Sequence, residues 1–276
     1  MSESKPTKSN VTKYESEHLA ELQGNVGETA ITYCLGLIPP FEKGDIVHDN
    51  ACGTGAVTEV IMARNPPDIH IHATDISEAF VAGTRALAEQ KNWPVTTATM
   101  SAQNLGFPDN KFTKSITGFA FHCVGDHDKA AIEVYRTLKP GGFAVATIWT
   151  FMPHIKALQH AHWRTRGTDA PMPVLLIDDF KEPHLRASLQ VGGFQDENIS
   201  TSEKICYLKV RDMKRWAQLA WSYLGQPPSG WSQSDEDKWS EALGDIVEEL
   251  KEGDGITHEN GETVMKMVAV VAVAKK

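Results

Sequence analysis

Cysteine is scarce in this chain of 276 residues: Cys34, Cys52, Cys123 and Cys206 stand far apart and form no CxxC pair. That spacing gives neither a metal-ligand rhythm nor a disulfide framework, and it points to buried thiols in a reducing compartment. No run reaches the roughly 18 apolar residues of a membrane span. The start, MSESKPTKSN, has no apolar signal core, so a cytoplasmic protein with a frayed start and no membrane partner is expected. Basic charge is short as well. With 27 Lys and Arg against 36 Asp and Glu the formal charge is -9, which works against binding nucleic acid or any other polyanion. A third glycine is also missing: GTGAVT carries Thr58 where a dinucleotide fingerprint has its last glycine, so the glycines alone are a weak signal.

What is present is a long alternation. Helical spacing runs through VTKYESEHLAELQ and GETAITYCLGLI and ends at Pro39 and Pro40. Then come a strand at 46–50, a helix at 55–64, a strand at 69–74 (IHIHAT), and a helix through SEAFVAGTRALAEQKNW capped by Ser77. VTTATM, SITGFAF and FAVATIW read as strands, with the helix DKAAIEVYRTL stopped by Lys139, Pro140, Gly141 and Gly142. Strands alternating with helices in this way predict an α/β fold with a parallel sheet covered on both faces. After a further helix ending at Gly192 and Gly193, ISTSEKICYLKV reads as a strand and VMKMVAVVAVA as a closing strand buried on both faces. Between those two strands lies an insertion, 211–258, in which Trp239, Leu243, Ile246, Val247 and Leu250 form one apolar stripe that must pack on something. The length suits one large domain carrying such an insertion.

The chemistry gathers in IVHDNACGTGAVTEVI, residues 46–61: a strand, an acid, a Gly-rich turn and a helix opening. Asp49 ends the first strand four residues before Gly53, and Asp75 closes the next. An acid in the second place can accept hydrogen bonds from both hydroxyls of a ribose, while the glycines let backbone approach the ligand. An acid beside the turn repels a pyrophosphate but suits a ligand with an ammonium group. S-adenosylmethionine carries an adenosine, a sulfonium and an amino acid end, and no phosphate.

Over about residues 45–150, HDNACGTG, ATDIS, SAQNLGFPDNKF and YRTLKPGG stand in family order, and the chain resembles the class I S-adenosylmethionine-dependent methyltransferases. Within them it is similar to the small-molecule branch related to ubiquinone and menaquinone methyltransferases. DNACGTGAVTEVI with a helical insertion before the final strand is similar, more narrowly, to the gliotoxin bis-thiomethyltransferase type of fungal natural-product pathways.

The resemblance implies a Rossmann-like sheet of seven strands, mostly parallel with the last antiparallel, and a helical cap. Residues 1–40 would form an N-terminal cap segment, and 41–276 the methyltransferase domain with a lid at 211–258. It places Asp49 near the methionine amino group, Ala51, Gly53 and Gly55 against the cofactor, Asp75 on the ribose, and Ile76 along the adenine face. Ser101 stands where the family often has an acid, with the backbone of Ala102 reading the ring edge. Ala51 replaces a glycine of many members, which is tolerable only where no positive φ is needed.

At the same rim FAFHCVGD makes Phe121, His122 and Cys123 candidates to line the methyl-transfer site, Phe121 against the cofactor. His122 is either a hydrogen-bonded structural residue or the group that takes a proton near neutrality. His154, His160 and His162 read as a solvated helix face without an acid to complete a metal set, so no metal is expected. Trp149, Trp221 and Tyr14 are candidate walls of the acceptor pocket. Trp216, Trp221, Trp231 and Trp239 read either as a helical core or as a water-excluding lid. The implied reaction is methyl transfer to a small-molecule acceptor in secondary metabolism. A thiol is suggested by the narrower resemblance, and a hydroxyl or carboxylate of a natural product remains open. A regulatory or protein methyltransferase-like protein, or a non-catalytic binding module, is the alternative, and the oligomeric state is not indicated.

Overall fold

A computed structural model describes residues 9–12, 16–177 and 180–276. The chain opens with α1 (Ser16–Gln23) and α2 (Val26–Leu35). It then alternates through β1 (Ile46–Asn50), α3 (Ala56–Met62), β2 (His70–Asp75), α4 (Glu78–Lys91), β3 (Val95–Thr99), β4 (Phe112–Thr117), α5 (His127–Thr137) and β5 (Leu138–Phe151). Next come α6 (Pro153–Arg166), α7 (Glu182–Gly192) and β6 (Ile199–Val210). The insertion holds α8 (Met213–Leu224), α9 (Gln233–Asp237) and α10 (Trp239–Glu249), and a hairpin of β7 (Ile256–Glu259) and β8 (Glu262–Lys275) follows. Among the described residues no helix is long and apolar enough to cross a membrane.

The strands lie in the order β3-β2-β1-β4-β5-β8-β6, with β7 beside β8. The pairs β1/β2, β1/β4, β2/β3 and β4/β5 are parallel. Gly141 N donates to Lys276 O (2.7 Å) and Lys276 N to Gly142 O (3.0 Å), so the head of β5 meets the tail of β8 and the two run antiparallel. The fold is thus α/β, mostly parallel and antiparallel at its end. β7 is an addition to the expected seven strands. It is formed by the Asn260-Gly261 turn, whose φ values of 51° and 77° suit the two-residue hairpin that matches strand twist.

By its internal contacts the chain divides into two compact units. The α/β unit comprises Gly27–Thr150, Phe180–Lys204 and Ala269–Lys276. On one face of its sheet Val47, Ile71, Ile116 and Val271 meet Ile31 and Leu35 of α2 and Val57 and Ile61 of α3. On the other, Phe112, Ala146, Ile148 and Val270 meet Val134 of α5 and Leu185 and Leu189 of α7. Local signals agree with this packing: Ser77 caps α4 by accepting from Phe80 N, and Asn92 ends it in the left-handed conformation. The fourth strand differs from expectation. It starts at Phe112 and stops at Thr117, and Phe119 at φ 54° turns the chain out of the sheet.

The helical unit comprises the described residues of Met1–Val26, Phe151–Asp179 and Ile205–Val268. Here α6 packs on α8 and α10, and α1 on α8. The histidines of α6 correct the expectation of a solvated face. His154 and His162 are buried, because α6 turns them toward its helical neighbours. His154 meets the Trp216 ring edge-on, and only His160 is exposed, bonded to Glu249 at 2.7 Å.

Candidate cofactor site

Parallel register brings the carboxyl ends of the first five strands to one edge: Asn50 lies opposite Thr74, Asp75 opposite Thr99, and Thr117 opposite Ala146. Strand order also reverses here, since β1 is flanked by β2 and β4, and such a switch point leaves a crevice for ligands. On leaving β1 the backbone takes positive φ at Ala51 (55°), Gly53 (53°) and Gly55 (91°). Ala51 therefore overturns the expectation that its position avoids this region, at a cost of about 1 kcal/mol. The neighbouring bonds hold it there. Cys52 N donates to Thr74 O (2.9 Å), Gly53 N to Asp75 Oδ2 (2.9 Å), and Thr84 Oγ1 to Gly53 O (3.0 Å). A Cβ on Gly55 would stand 3.2 Å from Thr84, whereas one on Gly53 would enter open space.

Asp49 is completely buried. Its Oδ2 accepts from Thr58 N (3.1 Å) and Thr58 Oγ1 (2.6 Å), while its Oδ1 has no partner among the described residues. Thr58, standing in the place of the third glycine, thus ties the first turn of α3 to β1. Burial pushes the Asp49 carboxyl up to about 6, against the pull of the two Thr58 bonds, and the charge of Asp75 adds to the rise. Asp75 braces two loops, accepting Gly53 N on Oδ2 and Ser77 N (2.8 Å) on Oδ1. Each of its oxygens keeps a lone pair for a further donor. Beside it Ile76 is 75% exposed, the most exposed large apolar side chain among the described residues.

After β3, Ser101 Oγ accepts from Gln103 N (3.2 Å), and Ser101 and Asn104 form an isolated bridge. Ala102 is buried in the same core cluster as Phe121. Phe121, expected against the cofactor, begins the short 3-10 turn Phe121–Cys123 with its ring packed into that cluster, 1% exposed. His122 is half-buried and Cys123 exposed. The half-buried aromatic of this segment is Phe119, absent from the sequence-based candidates because SITGFAF reads as uninterrupted strand. Its ring stacks on Trp149 (centroids 4.3 Å, planes 8° apart) and its amide donates to Thr147 Oγ1 at 2.9 Å. Trp221 lies in the helical unit, 1% exposed and under the Arg166 guanidinium. Tyr14 lies outside the described residues.

These residues fit a ligand with an ammonium group and a ribose: a buried acceptor without a donor at Asp49, free lone pairs on Asp75, open space at Gly53, and an apolar side chain in water at Ile76. Residues 47–142 match the methyltransferase domain family. Methyltransferase tpcH of Aspergillus fumigatus is 26% identical over 268 residues, covering 93% of this chain and 93% of that protein. Demethylmenaquinone methyltransferase of Symbiobacterium thermophilum is 38% identical over 104 residues, 37% of this chain and 41% of that one. Among solved structures, phosphoethanolamine N-methyltransferase 2 of Haemonchus contortus, in complex with phosphomonomethylethanolamine and S-adenosylhomocysteine, superposes with a TM-score of 0.55 at 16% identity. It covers 90% of this chain and 52% of that one. The fold is that of the Rossmann-like methyltransferases, and the matched segment falls within the α/β unit.

Proposed function

We propose that the protein transfers a methyl group from S-adenosylmethionine to a small-molecule nucleophile. The observation that carries this reading is the pair of aspartates around the Gly53 turn, one with a buried oxygen lacking a donor, inside the segment that matches the methyltransferase domain. When bound, the cofactor would supply a methyl already activated on a sulfonium, so that its carbon–sulfur bond breaks as the bond to the acceptor forms and the acceptor's proton is released. The chain's own residues then bind and align. Asp75 accepts the ribose hydroxyls, Asp49 Oδ1 the amino group, Ile76 covers the adenine, and Ser101 and Ala102 read its edge. The Phe119–Trp149 stack supplies an apolar wall against water, and His122 takes the proton where the acceptor needs a base.

A small acceptor is supported by the likeness to a demethylmenaquinone methyltransferase, and a natural product by the end-to-end likeness to a fungal methyltransferase. The resemblance of DNACGTGAVTEVI and the late insertion to the gliotoxin bis-thiomethyltransferase type favours a thiol; a hydroxyl is the second reading, for which the half-buried His122 would take the proton. Mass spectrometry of products formed from the cofactor with a thiol, a phenol and a carboxylic acid tests both. A gain of one methyl on the thiol is expected. Methylation of the phenol alone would transfer the assignment to oxygen, and no cofactor binding at all would overturn the reading.

A further inference from the structure

The helical unit contains buried donors that methyl transfer leaves unused. Arg166, in the last turn of α6, has a side chain only 9% exposed. Its Nε donates to Asp235 Oδ1 (2.5 Å), and its Nη1 to His162 Nδ1 (3.0 Å) and Gly225 O (2.8 Å). His162 serves as acceptor because its other nitrogen donates to Ala170 O at 3.2 Å. The guanidinium lies 4.6 Å from the Trp221 ring centroid and 5.0 Å from that of Trp231. Two donors remain: Arg166 Nη2 and Trp231 Nε1 are shut from solvent and have no partner among the described residues. Native structures rarely keep such groups without an acceptor, and these two belong to side chains in mutual contact.

Charge and shape narrow what could supply the acceptor. Asp235, itself buried, already pairs with the guanidinium, so a carboxylate would add negative charge to a site already compensated. A neutral oxygen avoids that. The surroundings are aromatic, since Trp231 meets Trp221 at 5.9 Å and Trp239 at 4.9 Å, which suits a flat ring. Trp231 also sits on the segment between α8 and α9 that carries Pro227, Pro228 and Gly230 at φ 80° and has neither helix nor strand. A guest would enter by displacing that segment, with no helix to break.

We propose that Arg166 Nη2 and Trp231 Nε1 form a binding site for the carbonyl oxygen of a neutral, planar aromatic molecule. That this guest is the methyl acceptor rests on the methyltransferase reading; its binding does not. The test titrates the full-length protein, without cofactor, with chromone, 2-naphthoate and naphthalene, followed by calorimetry, for wild type and Trp231→Phe. The variant keeps one aromatic ring and removes the N–H together with the rest of the indole, so naphthalene serves as the control for lost ring surface. Chromone is expected to bind at least about tenfold more tightly than the other two. Trp231→Phe should weaken chromone by about fivefold more than it weakens naphthalene. Equal affinities for chromone and naphthalene, or a variant in which both ligands weaken alike, would each overturn the site. Failure of methyl transfer with chromone binding intact would overturn the reaction and leave this site standing.

Discussion

Asp49 meets two demands with one carboxyl group, one oxygen tying down Thr58 and the other left for a ligand. Its native pKa of about 6 lies above the ordinary 3.8, so the folded protein binds more protons between those values than the unfolded chain. Stability from this source is fully present below about pH 4 and is lost as pH rises through 6. The roughly two-unit shift makes the buried charge cost about 3 kcal/mol at neutral pH. Asp49→Asn is therefore expected to melt higher than wild type at pH 7, with the gain shrinking toward pH 5. The same charge is what an ammonium group seeks. Wild-type affinity for the cofactor should fall nearly tenfold per unit below about pH 6, and the variant should bind weakly with a flat profile. Calorimetry across pH 5 to 8 reads this, and a flat wild-type profile would remove Asp49 from the amino group. For Asp75→Ala the expected loss is about 1 to 3 kcal/mol, one to two decades in affinity. Asp75→Asn separates ligand contact from loop bracing: it retains an acceptor for Gly53 N, so an affinity equal to wild type would reduce Asp75 to a turn residue.

Elements were legible where a local signal and the packing agreed. Ser77 announced α4, the alternating apolar runs announced the parallel strands, and the Trp239–Leu250 stripe announced a buried face of α10. They were obscured where one signal masked another. Phe119 leaves the strand through a left-handed conformation that no residue type there advertises. α6 looks polar because histidine is counted as polar, yet burial holds His154 at about 4 and keeps it neutral within the helical core. The β7–β8 turn did have a signal, Asn-Gly between short runs, but its strands read as the end of an insertion. That turn supports a direct expectation. Gly261 lies at φ 77°, so Gly261→Ala should cost about 1 kcal/mol, while Asn260→Gly should be nearly neutral. Thermal unfolding decides: equal melting of Gly261→Ala and wild type would exclude the left-handed turn.

The whole molecule is two cores threaded by one chain. The backbone passes between the units at residues 26, 150, 204 and 268 and between 177 and 180, and β5, β6 and β8 each have residues in both. Neither unit is therefore a contiguous segment that could be removed at a linker. Excising 211–258 would strip α8 and α10 from α6 and leave the buried His154 without its Trp216 neighbour, so a point substitution is the better probe. Ile246 in α10 is fully buried within the helical unit, and Ile246→Ala should destabilise by about 2 to 5 kcal/mol. The proposed cofactor contacts all lie in the α/β unit. Well below the melting temperature, then, the variant should bind S-adenosylmethionine within about twofold of wild type, a difference smaller than one hydrogen bond is worth. Heating asks the opposite question. Strands shared by two cores cannot leave one without depriving the other, so a single calorimetric transition is expected for wild type and variant alike. Saturating cofactor should shift the whole of that transition, by about 2.7 kcal/mol at a hundredfold excess over the dissociation constant. Two transitions, with only one moved by the cofactor, would show that the units unfold independently despite the strands they share, and that the helical unit has a stability of its own.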